Sequence, residues 1–353
     1  MKILLKPFSW IFRFFVFIRN KLYDYGYFKT VHLSARVISV GNIDSGGTGK
    51  TPFTEYLARY FLEKGKSVVI LTKGYKRAED DMQVIELGYK NEENKLTNEN
   101  LGDESMMILE DFIDEPSLKK GTGLLIVSDN KRSGAKLADS KFKPDLILLD
   151  DGFQHRRIIR DLDIVLLNPV YKGPLIPAGT FREPFSSTKR ADLKILNYKF
   201  KDIREYNIIK LGSIPTFNYI LEGFFNIKNE PPTKSDFTAF AFCGIGDPDS
   251  FRDLLDNAGI KVLNFISFPD HHNFKEEEIK NLISRYKQSG ADLILTTQKD
   301  FVRFKYSTRM LSGGENSIKE LMNNYPVYYS KIRLNFTQNQ DILMNKLGEI
   351  IKD

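Results

Sequence analysis

Residues 41–52, GNIDSGGTGKTP, bring together the residue types that hold a polyphosphate. Gly46, Gly47 and Gly49 permit a loop whose backbone N–H groups turn inward onto phosphate oxygens, and Ser45 and Thr48 complete it. Lys50 adds a mobile positive charge and Thr51 a hydroxyl for magnesium. The match to G-x-x-x-x-G-K-[ST] is imperfect, because Asp44 stands where the first glycine belongs. The variant loop of partitioning ATPases, with a lysine before the two glycines, is weakened by Ser45 at that position. About a hundred residues on, PDLILLDDGFQH ends an apolar run in Asp150 and Asp151, where a carboxylate can hold magnesium directly or through water. Successive strand residues face opposite sides, so one acid can address the nucleotide and the other a neighbour. A plain glycine-rich turn and a solvated Asp pair are the bland alternatives. The flanking strand and helix argue against the first, and the preceding phosphate loop against the second.

Those residues require elements to position them. RVISV before the loop is a β-rich apolar run, and FTEYLARYFLEKG after it repeats apolar residues at helical spacing. KSVVILTKGYKR, GLLIVSD, PDLILLDDG, LDIVLLN and ADLKILNY read as further strands, with helix-like MMILEDFI and GAKLAD between them and a polar loop at KNEENKLTNENLGDES. This alternation predicts an α/β fold over residues 29–202, a doubly wound, mostly parallel sheet of the P-loop NTPase kind, with ligands beyond the carboxyl ends of its strands. Residues 203–234 read as an extended two-stranded linker built from NIIKLG and TFNYILEGFFNIK. A smaller α/β unit over 235–353 follows, with strands FTAFAF, VLNFISF, DLILTT and PVYYSKI, helices around SFRDLLDNAG, EEIKNLISRYKQSG and QDILMNKLGEII, and no phosphate loop of its own.

At 353 residues and 41% hydrophobic, the chain can bury two cores. Its single cysteine, Cys243, permits no internal disulfide and fits a reducing compartment. With His32, His155, His271 and His272 as the only histidines, a structural zinc site is not expected. The net charge of +6 is local to the N-terminus: residues 1–23 carry Lys2, Lys6, Arg13, Arg19 and Lys21 and no acid, and the remainder is close to neutral. Nucleic-acid binding is therefore not expected. Arg13 interrupts the apolar stretch of residues 1–28, leaving too few consecutive apolar residues for a spanning helix. As a helix it places Lys6, Arg13 and Asn20 on one stripe and Phe8, Ile11, Phe12, Phe15 and Ile18 on another, the form of an interfacial helix on an anionic membrane surface. A helix packed on the protein's own core is one alternative, and a signal peptide, which would need a small-x-small cleavage site, is another. Three polar islands remain unassigned by composition: GDES at 102–105, PAGTFREPF at 177–185 and FPDHHNF at 268–274.

VGNIDSGGTGKTP resembles the loop of the tetraacyldisaccharide 4'-kinases, the lipid A kinases, which tolerates a non-glycine where Asp44 sits. LTKGYKR, GDES, DDGFQHRRIIRDLDIVLLN, PAGTFREP, AFCGIGDP, FPDHHNF and LTTQKD resemble that family's blocks in its order, across nearly the whole chain. Lys73, Ser105 and Gln298 depart from its usual residues. The resemblance implies ATP and Mg2+ as cofactors and phosphorylation of the 4'-hydroxyl of a tetraacylated glucosamine disaccharide 1-phosphate. The implied product is lipid IVA, and the expected enzyme is a peripheral or monotopic monomer at the cytoplasmic face of the bacterial inner membrane. It further implies Asp103 as the base that takes the hydroxyl proton and His271 as its partner, a choice over His272 that rests on the family's register. Asp150, Asp151 and Glu183 fall at its metal and active-site carboxylate positions, and Arg182 near the transferring phosphate. Two other classes compete. A regulatory or metal-delivery P-loop GTPase should carry [NT]-K-x-D, whereas TTQKDF has Lys299 and Asp300 adjacent. A membrane scaffold that binds nucleotide without chemistry would show no turnover.

Overall fold

The computed structural model describes residues 4–74, 81–90, 96–169, 173–201, 213–272, 274–306 and 315–352. In chain order the first half contains α1 (Lys6–Asp24), β1 (Arg36–Gly41), α2 (Lys50–Glu63), β2 (Ser67–Thr72), β3 (Gln83–Glu86), α3 (Asn98–Leu101), α4 (Asp103–Asp111), β4 (Thr122–Val127), α5 (Lys131–Leu137), β5 (Leu146–Asp150), β6 (Leu162–Leu167) and β7 (Leu193–Asn197). The second half contains β8 (Thr216–Phe225), β9 (Thr238–Cys243), α6 (Pro248–Asn257), β10 (Lys261–Ser267), α7 (Glu276–Ser289), β11 (Leu293–Thr297), α8 (Gln298–Lys305), α9 (Glu315–Asn324), β12 (Val327–Gln338) and α10 (Gln340–Lys352).

Strands covered on both faces read as continuous apolar runs, and β1, β2, β5 and β6 do so. β1 lies between β5 and β6, parallel to both, so the chain reverses its direction of winding there and opens a crevice at the strand ends. Val40 of β1 is in register with Asp150 of β5, which sets the phosphate loop beside that acid. α2 covers this region by burying Phe53, Leu57, Phe61 and Leu62, each worth about 2 kcal/mol of transfer free energy.

Among the described residues, twelve strands join in one sheet in the order β10-β9-β11-β12-β8-β7-β6-β1-β5-β2-β4-β3. Its pairs are parallel except β3 with β4 and β8 with β12. The segment TFNYILEGFFNIK supplies β8, whose partners are β7 and β12, while NIIKLG lies outside the described residues. β8 meets β7 at two register positions, Leu196 with Thr216 and Asn197 with Phe217. α10 packs Leu343 and Leu347 into the core around α2, although it follows the smaller unit in sequence. Part of the expected polar loop before GDES is the short helix α3, and Asp103 opens α4 in its first turn. The helix α8 was not expected from periodicity; eight residues are too few to show one, and it begins directly at the end of β11, capped by Thr297.

α1 buries Ser9 and Val16 and packs Phe12 against a cluster that includes Ile43, Phe153, Leu175 and Phe181. Ser9 Oγ donates to the Leu175 carbonyl at 2.8 Å and accepts from Ala178 N at 3.1 Å. Phe8, Trp10, Ile11, Phe14, Phe15 and Phe17 are exposed. The expected apolar face is thus corrected: Phe12 turns inward, and Trp10, Phe14 and Phe17 join the outer face. No helix among the described residues is long and apolar enough to cross a membrane.

Candidate active site

The phosphate loop leaves β1 and closes at Gly49, whose φ of 81° is left-handed and favours glycine. A Cβ there would stand 1.9 Å from the Tyr219 hydroxyl. The loop is braced from both sides. Asp44 Oδ1 accepts from Gly46 N at 3.1 Å, so the aspartate in place of the usual glycine forms a local turn. Asn42 Nδ2 donates to Thr48 Oγ1 at 2.6 Å, and Asn197 Nδ2 donates to the Thr48 carbonyl at 3.0 Å. Thr48 is therefore buried under the loop as a brace, while Ser45, Gly46, Gly47, Gly49 and Lys50 line a cavity of about 600 Å³.

The two acids at the end of β5 take different environments, but not by strand alternation: Asp150 closes the strand, and Asp151 leaves it in the left-handed region. Asp150 is buried and accepts from three hydroxyls: Thr51 at 3.1 Å, Thr54 at 3.3 Å and Thr72 at 3.2 Å. Burial pushes its carboxyl up, against the pull of Lys131. Asp151, at φ 52°, is gripped by Arg182 through both oxygens at 3.0 and 2.9 Å, with Lys50 Nζ 3.8 Å away. Burial raises its carboxyl, but Lys50 and Arg182 outweigh that and hold it far below the ordinary carboxylate range. Arg182 also bonds the Asn42 side chain and the Asp44 carbonyl, joining PAGTFREPF to the phosphate loop.

Sequence reasoning missed Lys131. This buried lysine opens α5 at the end of β4, and its ammonium donates to the Asp150 and Asp151 carbonyls. Burial pushes it below the usual lysine value, with Asp151 and Asp150 opposing. Among the described residues no three His, Cys, Asp or Glu side chains converge as a metal cage. The donor set at the loop nevertheless fits a hard divalent cation held by one or two carboxylates together with phosphate: Thr51, Asp150 and Asp151 offer oxygen alone.

The opposite wall comes from the second half. Asp270, His271, Gln298 and Lys299 line the same cavity, with Glu104 of α4. His271 adopts φ 56° in the turn after β10, and its Nδ1 lies 3.2 Å from Asp103 Oδ2. Its Nε2 is 3.2 Å from Lys299 Nζ. His272 goes elsewhere, stacking on Phe268 with its Nε2 2.9 Å from Glu278. Burial raises the Asp103 carboxyl, but hydrogen bonds from His271 and Arg303 bring it below its ordinary value. Arg303 was also missed; its Nε donates to Asp103 Oδ2 at 2.9 Å.

Glu183 is not brought to this group. Its carboxylate is buried and bonded by Arg190 at 2.8 and 2.9 Å, Asn20 at 2.9 Å and Arg19 at 3.2 Å. Arg182 and Glu183 lie in the bend after Phe181; Arg182 meets Asp151, whereas the Glu183 carboxylate is neutralised by Arg190, Arg19 and Asn20 and so ties α1 to the core.

The family model described as tetraacyldisaccharide-1-P 4'-kinase matches residues 1–351. The chain belongs to this family. Among curated tetraacyldisaccharide 4'-kinases, that of Aquifex aeolicus is 35% identical, covering 92% of this chain and 98% of its own. That of Chlorobium phaeobacteroides is 32% identical over 99% of this chain and 98% of its own. A crystal structure of the family member from Aquifex aeolicus, an "apo" form in complex with ATP, superposes with a TM-score of 0.73 at 31% identity, covering 99% of both chains. As a tetraacyldisaccharide 4'-kinase family member, the chain has the mixed, mostly parallel sheet of that structure.

Proposed function

We propose that this chain transfers the γ-phosphoryl group of ATP to the 4'-hydroxyl of tetraacyldisaccharide 1-phosphate, giving lipid IVA. The observation that carries the reading is that one cavity has the phosphate loop, Asp150 and Asp151 on one wall and His271, bonded to Asp103, on the other. A sugar hydroxyl is a poor nucleophile, and a positioned carboxylate that takes its proton supplies what it lacks. In this reading the sugar oxygen bonds the γ-phosphorus as its proton passes to Asp103, and the γ-phosphorus–oxygen bond to ADP breaks, ADP leaving within reach of Lys50. Lys50, Arg182 and the loop N–H groups stabilise charge on the transferring group. Thr51, Asp150 and Asp151 are the residues that would hold Mg2+, which when bound neutralises phosphate charge. Glu183 has an anchoring role. The competing GTPase reading loses its motif: Asp300 is buried and bonded by Arg303, Gly244 and Thr297, which leaves it no guanine to read.

The exposed aromatic face of α1 supports placing the enzyme at a lipid surface, on the cytoplasmic leaflet where ATP is available. We further read residues 29–202 as the nucleotide half and 235–353 as the half that brings His271, joined through 203–234, in a monomer. The test is transfer of labelled γ-phosphate from ATP to the purified disaccharide 1-phosphate. Incorporation that ATP supports and GTP does not is expected; no incorporation, or a preference for GTP, would reject the assignment.

A further inference from the structure

We propose that Arg303 is a positioning residue that holds Asp103 by one oxygen, leaving the other for the acceptor hydroxyl. The inference rests on the reading of Asp103 as the base. Both donors on this carboxylate converge on Oδ2, His271 Nδ1 at 3.2 Å and Arg303 Nε at 2.9 Å. Among the described residues, Oδ1 makes no hydrogen bond to protein. A base needs such a division of labour: one oxygen fixed, one free to receive a proton.

Arg303 is itself built in. Its side chain is 7% exposed, and its Nη1 donates to Asp300 Oδ1 at 2.8 Å and to the Gly244 carbonyl at 3.4 Å. Asp300 is in turn fixed, its Oδ2 accepting from Gly244 N at 2.9 Å and Thr297 Oγ1 at 2.7 Å. The chain of bonds therefore runs from the ends of β9 and β11 to the base on α4. A guanidinium stays charged at any working pH, so this grip does not depend on the state of His271.

A purely structural bridge between α4 and α8 would be redundant. Glu110 already bonds Lys305 at 3.0 Å and the Tyr306 hydroxyl, Asp111 accepts from Gln298 at 2.5 Å, and Glu104 pairs with Lys299 at 3.5 Å. The charged and titratable groups around Asp103 are accordingly Arg303 with Asp300 behind it, His271 with Asp270 and Lys299 beyond it, and Glu104 beside it on α4.

The experiment compares Arg303→Met, Arg303→Lys and the control Lys305→Met in the full chain. Two readouts are taken: kcat against pH for lipid phosphorylation, and titration of the Asp103 carboxyl by 13C NMR, assigned by its loss in Asp103→Asn. Arg303→Met should lower kcat by about 10- to 100-fold, the scale of a misplaced reacting group, with KM for ATP within about twofold. It should also move the acid limb of the profile and the Asp103 titration to higher pH. Arg303→Lys should restore part of the titration shift, and Lys305→Met should lower Tm without moving either midpoint. An unshifted Asp103 titration in Arg303→Met overturns the proposal whether or not the enzyme acts on the disaccharide. A shifted titration in a protein whose wild type phosphorylates no disaccharide would retain the grip and reject only the assigned reaction.

Discussion

The two walls of the cavity are made in different ways. The phosphate wall is fixed by backbone: a loop between β1 and α2, an acid in register with Val40, and a left-handed glycine under Tyr219. The base wall is fixed by side chains that lie 168 and 200 positions from Asp103, namely His271 and Arg303. Ion pairs complete both walls, Arg182 with Asp151 on the first and Arg303 with Asp103 on the second. What differs is the reach along the chain: the loop and its acid follow from local strand geometry, whereas Asp103 is held by residues of the other half.

The sharpest way to break this contrast is at the phosphate-loop wall. Lys50→Ala should lower phosphoryl transfer by about 10³-fold, the upper range for losing a preorganised donor aimed at developing charge, and Thr51→Ala should lower it by a similar factor. Thermal melting should show both variants folded, since α2 keeps its buried face. Transfer near the wild-type rate in Lys50→Ala would show that the loop is not the donor site.

At the other wall, Asp103→Ala should lower kcat by at least about 100-fold while ATP affinity, read by equilibrium binding, stays close to wild type. His271→Ala should also be slow, and the double variant little worse than Asp103→Ala, because groups that act as one unit are not additive. Multiplicative losses would mean that the two residues act separately. His272→Ala should be milder, as its ring serves Glu278 and Phe268.

Smaller effects lie outside the cavity. Burial raises the Glu183 carboxyl, but Arg190, Asn20 and Arg19 outweigh it and hold it below the ordinary value. Its stabilising contribution is therefore complete above the unfolded carboxyl value and is lost as pH falls through the folded one. Glu183→Gln should lower Tm at pH 7 by roughly 5 °C and flatten the acid side of the Tm–pH curve, as calorimetry would show. An equally steep acid side in the variant would assign the acid sensitivity to other carboxylates. Outside turnover altogether, replacing Trp10, Phe14 and Phe17 with Ser should weaken binding to anionic vesicles by at least about tenfold and leave turnover on detergent-dispersed substrate unchanged. Unaltered sedimentation with vesicles would place the contact elsewhere.

The same contrast explains what could be read in advance. The phosphate loop and Asp150 were legible because contiguous spacing and strand ends are local properties of sequence. The pairing of Asp103 with His271 came from resemblance, since nothing in the spacing of the two residues brings them together. Lys131 carries no local sign beyond following a strand end, and its meaning appears only when β4 and β5 are placed on either side of β2. Arg303 lies in a helix too short for periodicity to reveal. Glu183 was grouped with the active-site carboxylates by resemblance alone, and nothing local in the sequence shows that Arg190, Asn20 and Arg19 surround it instead.

That divergence at two consecutive residues has a geometric result. Arg182 grips the acid beside the phosphate loop, and Glu183 grips Arg19 and Asn20 of the helix whose far side is aromatic. One peptide bond separates the two attachments, so the helix is tied closely to the residues around the phosphate loop. Under the proposed contact of this helix with lipid, the two attachments would set the height of the transferring phosphate above the acyl chains. The sugar's distance from its own tails would then have to match that height.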